Sequence, residues 1–291
     1  MMLRLLTAVA AGITVAALPG SPWPRASAAR QYPWRVELNI PAFRVDVLRD
    51  SVRIRSFGVA VGSRQFPTPR GSYTITEIVW NPWWYPPPSG WAKEDTVTPP
   101  GPRNPMGRVK LQLADVYYIH GTPLEQSIGS AASHGCIRMR NADAIALARL
   151  LQEGAGITMN DDEIERLIAS RRTRIVPLAD SVSIALVYRT AEVYAETLAL
   201  HPDVYRLGVD RFAEAAAALF TAGIDSVHLD GAVLDSLIGK ARTAAVRVPV
   251  SAVRSDSAIA VVAPRPPMQD DAADVATSSG SRRAGPGCLS P

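Results

Sequence analysis

His120 and Cys136 stand sixteen residues apart in the stretch Ile119-His120-Gly121-Thr122 … Ser133-His134-Gly135-Cys136-Ile137-Arg138-Met139. A thiol attacks carbon as its thiolate. A neighbouring imidazole can take the proton, and a third group must hold that imidazole in the right tautomer. Gly135 lets the backbone approach a reacting group closely, and the amides of Gly135 and Cys136 could face a developing oxyanion. Two blander readings compete. A histidine at a strand end is usually structural, and His120, His134 and Cys136, with His201 as a fourth ligand, could hold zinc. The spacing of His134-Gly135-Cys136 is not that of a structural zinc site, and no second Cys or His pair supports one. The sequence carries no phosphate-cradling loop and no dinucleotide fingerprint.

A histidine, a spacer, then Ser-His-Gly-Cys, a hydrophobic residue and Arg resembles the active-site motif of the L,D-transpeptidases, the YkuD-type catalytic domain. Gly62 … Pro67-Thr68-Pro69-Arg70-Gly71, Asn81-Pro82-Trp83-Trp84-Tyr85-Pro86-Pro87 and Pro100-Gly101-Pro102-Arg103-Asn104-Pro105-Met106-Gly107 extend the likeness and point to its periplasmic branch. The resemblance covers about residues 34–200. It implies a mainly β catalytic domain, a twisted sheet or sandwich with few helices. It makes Cys136 the nucleophile, His120 its base and the Gly121 carbonyl the orienter of His120. Gly135, His134 and Ser133 shape the oxyanion pocket, and Arg138 holds a substrate carboxylate where many members carry Asn. Tyr118, Trp83 and Trp84 are expected beside the substrate. The implied reaction is acyl transfer on peptidoglycan stem peptides, forming cross-links or attaching an acceptor lipoprotein to the wall, with no metal or organic cofactor. Hydrolysis through the same thioester, or a wall-binding module without catalysis, are the alternatives.

The elements that must position these residues are legible as alternation. Val36, Leu38 and Ile40, then Phe43, Val45 and Val47, then Val52, Ile54, Val59 and Val61 read as antiparallel strands around a turn at Arg49-Asp50-Ser51. Tyr73, Ile75 and Ile78, then Val109, Leu111 and Leu113, continue the pattern, and Val116 to Ile119 reads as a strand ending at His120-Gly121. Between them, residues 80–107 hold eight prolines and four of the six tryptophans, which excludes a central strand or helix. A long irregular segment rich in aromatics reads as a lid over substrate. Asn141 is expected to cap a helix that Gly154 stops, and Asn160 or Asp161 to open a second. Val182–Tyr188 and Val193–Leu200 read as two more strands.

Residues 201–250 read as an Ala-rich helical extension, with helices from Asp210 to near Gly223 and from Leu229 to Ala241. Residues 251–291, rich in Ala, Ser, Pro, Asp and Arg without periodicity, read as a disordered tail. The front end reads as a signal peptide over residues 1–28: Arg4, the apolar run Leu5 to Leu18, and Ala26-Ser27-Ala28 before Ala29. That predicts export to the periplasm or cell wall, with no membrane span once the signal is removed. The chain of 291 residues has 31 basic and 27 acidic residues and no basic block, which argues against a nucleic-acid partner. Its two cysteines are Cys136 and Cys288. A bridge between them would tie the catalytic body to the tail, so Cys136 is expected to be an unbridged, reactive thiol.

Overall fold

The computed structural model describes residues 34–49, 52–114, 117–224 and 228–255. The expected signal peptide, the turn residues Asp50 and Ser51, Val116 and the tail from 256 onward lie outside them. Among the described residues the fold is mainly β with four α-helices. The strands are β1 (Arg35–Asn39), β2 (Arg44–Arg49), β3 (Val52–Gly62), β4 (Gly71–Trp80), β5 (Val109–Ala114), β6 (Tyr117–Thr122), β7 (Ala131–Ser133), β8 (Ile137–Arg140), β9 (Arg174–Val187), β10 (Ala191–Tyr194), β11 (Thr197–Leu200) and β12 (Val246–Pro249). The helices are α1 (Asn141–Gly154), α2 (Asp161–Ser170), α3 (Arg211–Thr221) and α4 (Gly231–Lys240).

Nine strands form one sheet in the order β2-β1-β9-β4-β5-β6-β8-β3-β7, with β2 also paired to β3. The long strand β3 explains the closure. Its first half forms a hairpin with β2, and Val59 and Ala60 then pair antiparallel with β8. Every second residue of each strand therefore faces a common interior. Val36, Leu38, Val45, Val47, Val59, Ile75, Ile78, Leu111, Ile119, Ile137 and Ile184 are buried in this core. Helix α1 covers it with Ala144, Leu147, Ala148 and Leu151, one face at helical spacing.

Several elements differ from their sequence reading. Strand β6 runs one residue past the expected end at His120-Gly121, to Thr122, and the motif itself contributes β7 and β8. Asn141 is the first residue of α1, not its cap. Its side chain is committed elsewhere, accepting from the Arg108 amide at 2.9 Å and donating to the Thr122 carbonyl at 3.0 Å. Helix α2 does open on a capping box, with Asn160 accepting from the Glu163 amide and Glu163 accepting in return. Strand β9 begins at Arg174, before the expected Val182, and contains Pro177. That proline is tolerated because β1 pairs only with Ile184–Val187, leaving the early part of β9 open on that edge.

The expected strand Val193–Leu200 is a hairpin. It turns at Ala195 and Glu196, which take φ of 46° and 59°. Such a turn ordinarily signals itself by Gly or Asn, and this one carries neither. The region after residue 200 is not helical alone. Strand β12 joins β10 and β11 in a second sheet, order β10-β11-β12, and α3 and α4 pack on it. Its core holds Leu198, Leu200, Ala215, Leu219, Leu234, Leu237 and Val248. Residues 250–253 form a 3-10 turn with Val253 buried, so order extends past the expected start of the tail.

Candidate active site

Strand register places His120 between two cations. β5 pairs with β6 so that Lys110 opposes His120, and β6 runs parallel to β8 so that His120 opposes Arg138. Directly opposed residues share a face of the sheet. The imidazole is wholly buried, and its pKa is pushed down to about 3. Burial is the main cause and the Arg138 charge the next. The Gly121 hydrogen bond opposes the shift, the Lys110 charge adds to it, and a hydrogen bond to the Pro105 backbone opposes it again. His120 is thus neutral at any physiological pH. Its Nδ1 lies 2.7 Å from the Gly121 carbonyl, which can only accept. With the ring proton on Nδ1 this hydrogen bond forms and Nε2 is the basic nitrogen.

Arg138 is 4% exposed, and its Nη2 finds no hydrogen-bond partner among the described residues. Burial lowers its pKa, although a guanidinium stays charged. Cys136 is the bend residue immediately before β8, two residues ahead of Arg138.

The loop before Cys136 is organised by hydroxyls. Ser133 Oγ donates to the Cys136 carbonyl at 2.5 Å and accepts from the Gly135 amide at 3.1 Å. The Gly135 amide is therefore engaged by Ser133, and the expectation that it faces an oxyanion does not hold. Gly135 has φ of 111°, a conformation that side chains resist, which is why glycine stands there. The Gly135 carbonyl accepts from Thr68 Oγ1 at 2.8 Å.

Segment 80–107 roofs the site. Trp84 and Met106 form a buried cluster with Cys136, and Trp91 and Tyr118 pack against it. The segment holds its shape through Asn104, whose amide donates to the carbonyls of Pro82, Thr98 and Pro99, and through paired backbone bonds between Trp84 and Thr98. His134 lies between two aromatic rings, Phe66 at 4.5 Å and Trp91 at 4.2 Å between centroids. Burial and the Arg138 charge lower its pKa. Trp83, in contrast, is 44% exposed and stacks on Tyr85 rather than turning toward Cys136. Below the roof, a Cβ on Gly107 or Gly121 would come within 2.3 or 2.4 Å of Asn141 Oδ1. These two glycines make room for the side chain that ties β6 to the end of the roof.

Cys136 is fully buried and disulfide-bonded. This corrects the expectation of an unbridged thiol. The chain's other cysteine, Cys288, lies outside the described residues.

Cys136 thus clusters with Trp84, Met106, Trp91 and Tyr118, Ser133 ties Gly135 to the Cys136 carbonyl, and His120 lies opposite Arg138 on the neighbouring strand. Trp83 stays outside that cluster. His201 is in the second module, with Nε2 at 3.1 Å from Glu192 Oε1, and among the described residues no three metal-ligating side chains converge. Lys110, Thr68, Phe66, Trp91 and Met106 belong to the site and were not foreseen. Pro67-Thr68-Pro69 and Asn104-Pro105-Met106 were visible as motifs, but nothing in the sequence aimed them at Cys136.

Residues 33–160 match the family profile of the L,D-transpeptidase catalytic domain, YkuD. Among individual proteins, the chain is 29% identical over 163 residues to the protein named L,D-transpeptidase YkuD in Bacillus subtilis (strain 168), which covers 55% of this chain and 84% of that protein. It is 28% identical over 128 residues to the protein of that name in Bacillus licheniformis, covering 44% of this chain and 66% of the relative. Among solved structures, L,D-transpeptidase 3 of Mycobacterium tuberculosis aligns with a TM-score of 0.35 at 15% identity, over 53% of this chain and 61% of that one.

Proposed function

The chain belongs to the YkuD family of L,D-transpeptidase catalytic domains through residues 33–160, and from that premise we propose that it is an exported cysteine acyltransferase acting on peptidoglycan stem peptides. The observation that carries the reading is the buried, neutral His120 on β6, paired with the strand β8 that Cys136 immediately precedes, with Cys136 itself clustered under Trp84, Trp91 and Met106. Once reduced, the Cys136 thiol passes its proton to His120 Nε2 as sulfur attacks the carbonyl between the L-centre of a diamino acid and a terminal D-residue. The flanking cations disfavour imidazolium, so the proton is better held there in passing than stored at rest. The D-residue leaves with that proton, and a thioester remains on Cys136. An amine of a second stem, or of an acceptor lipoprotein, resolves it to an amide. Arg138, buried with an Nη2 that has no partner among the described residues, suits a substrate carboxylate. The apolar roof excludes water, which favours an amine over hydrolysis to a carboxypeptidase product.

The test is mass spectrometry of muropeptides incubated with reduced protein, alongside Cys136→Ala. Expected are cross-linked products, a trapped acyl-Cys136 species, and neither in the variant or in protein kept unreduced. Transfer by purified Cys136→Ala sinks the assignment. Shortened stems without cross-links assign the hydrolytic reaction instead.

A further inference from the structure

A chain of hydrogen bonds reaches the nucleophile from beyond the family-matched region. Asp203 gathers the turn after β11, accepting from the amides of Leu207 and Gly208, and accepts from the Tyr188 hydroxyl at 2.5 Å. Tyr188 Oη accepts from the Tyr205 amide at 2.8 Å, and the two rings pack with centroids 5.5 Å apart. Tyr205 Oη in turn accepts from the Thr68 amide at 3.0 Å. Thr68 Oγ1 accepts from the Gly62 amide and donates to the Gly135 carbonyl, both at 2.8 Å. Tyr188 and Tyr205 are buried in the catalytic core, not in the core of the second module, and Thr68 is 2% exposed.

The end of this chain matters because of what the Gly135 carbonyl belongs to. It shares one rigid peptide plane with the Cys136 amide. Holding the carbonyl sets the direction of the Cys136 N–H and the point from which the thiol-bearing side chain leaves the backbone. Gly135 is the residue in the loop least able to hold that plane by itself, since glycine is free to rotate. Gly62 allows the brace to come close: a Cβ there would sit 2.1 Å from the Phe66 carbonyl oxygen and 2.6 Å from the Thr68 nitrogen.

We infer that Tyr205, acting through Thr68, is a positioning residue that orients the Gly135–Cys136 peptide for oxyanion stabilisation. The inference deepens the proposed acyl-transfer reading and rests on it for its biological meaning, but its test needs only the chemistry of the Cys136 thiol. Attack on an acyl carbonyl develops an oxyanion. Alkylation by iodoacetamide does not. The ratio of the two rates therefore reports the peptide's orientation and cancels access to the thiol.

The experiment uses the reduced full-length chain, well below its melting temperature. p-Nitrophenyl acetate and iodoacetamide serve as probes, and peptide mass spectrometry separates modification of Cys136 from that of Cys288. Tyr205→Phe should slow acylation about tenfold, less than the 10²–10³ typical of losing an oxyanion donor outright. Its alkylation rate should stay within about twofold of wild type. Thr68→Val should behave like Tyr205→Phe, Thr68→Ser should restore the acylation rate, and the double variant should be no slower than Thr68→Val alone. The Cys136 amide resonance should move in Tyr205→Phe. Parallel loss of both rates, an unchanged acylation rate, or an unmoved Cys136 resonance overturns the inference. Normal probe ratios in a protein that never processes muropeptides would instead count against the proposed substrate and leave the brace standing.

Discussion

At the scale of single residues, His120 is where position and charge conflict most. A carbonyl on Nδ1 asks the ring to keep a proton, while burial, Arg138 and Lys110 forbid it a second one. The folded-state pKa of about 3 lies below the ordinary 6.5. The unfolded chain therefore binds more protons between those values, and stability contributed by the neutral ring is present above about pH 6.5 and lost as pH falls toward 3. Going from pH 7 to pH 5 should cost the folded protein about 2 kcal/mol through this group. His120→Gln should remove that part of the slope, as read from urea unfolding at both pH values under one redox condition. Equal slopes in the two proteins would show that the histidine is not held neutral. Cys136, His120, Gly121 and Ser133 were legible because they lie in contiguous motifs. Lys110 and Thr68 were not, because their neighbourhood is set by register and by a turn, which a linear pattern does not display.

At the scale of elements, alternation found most of the sheet, as in Val109, Leu111 and Leu113 along β5, where buried residues alternate with half-buried ones. It failed where another force decided. The β10–β11 hairpin turns on two non-glycine residues, and Asn141 has the chemistry of a cap but serves as a tie between β6 and Arg108. The roof was legible as an irregular aromatic segment, yet its two adjacent tryptophans do different work. Trp84 is 4% exposed against Cys136, while Trp83 is 44% exposed. Trp84→Ala should cost about 3–5 kcal/mol of stability, the usual loss for a buried aromatic, and raise hydrolysis relative to transfer. Trp83→Ala should stay within about 0.5 kcal/mol of wild type and leave the product ratio alone. Melting curves and product ratios on the two single variants separate them. A product ratio that follows Trp83 instead would mean that the roof rearranges when substrate binds.

At the scale of the whole molecule, the three-stranded sheet is fastened to the nine-stranded one by charge. Arg44 on β2 reaches Glu192 on β10 at 2.7 Å while its Nε pairs with Asp46, and Glu192 also meets His201. Arg53 on β3 adds a second anchor, lying 4.0 Å over the Tyr194 ring. Burial by itself would raise the Glu192 pKa; the hydrogen bonds from His201 and Arg44 and the Arg44 charge outweigh it and hold the carboxyl below its usual range. Removing one partner of a fully buried pair typically costs about 3–5 kcal/mol, because the other charge is left uncompensated. Arg44 keeps Asp46, and the side chains are 17% and 16% exposed, so Glu192→Gln should cost less, roughly 2 kcal/mol. The sign of its pH dependence follows from the depressed pKa. The stabilisation is fully present above the unfolded value of 4.5 and fades as pH falls below it. The gap in urea midpoint between wild type and Glu192→Gln should therefore be constant from pH 8 to pH 6 and narrow below pH 4.5. Because Tyr188, Tyr205 and Asp203 belong to the same stretch of chain as this interface, the variant also asks whether the fastening matters to Cys136. If the module is only an appendage, Glu192→Gln loses stability while the acylation-to-alkylation ratio at Cys136 stays that of wild type. A ratio that falls with the midpoint would show that the charge cluster helps to hold the Tyr205 brace in place.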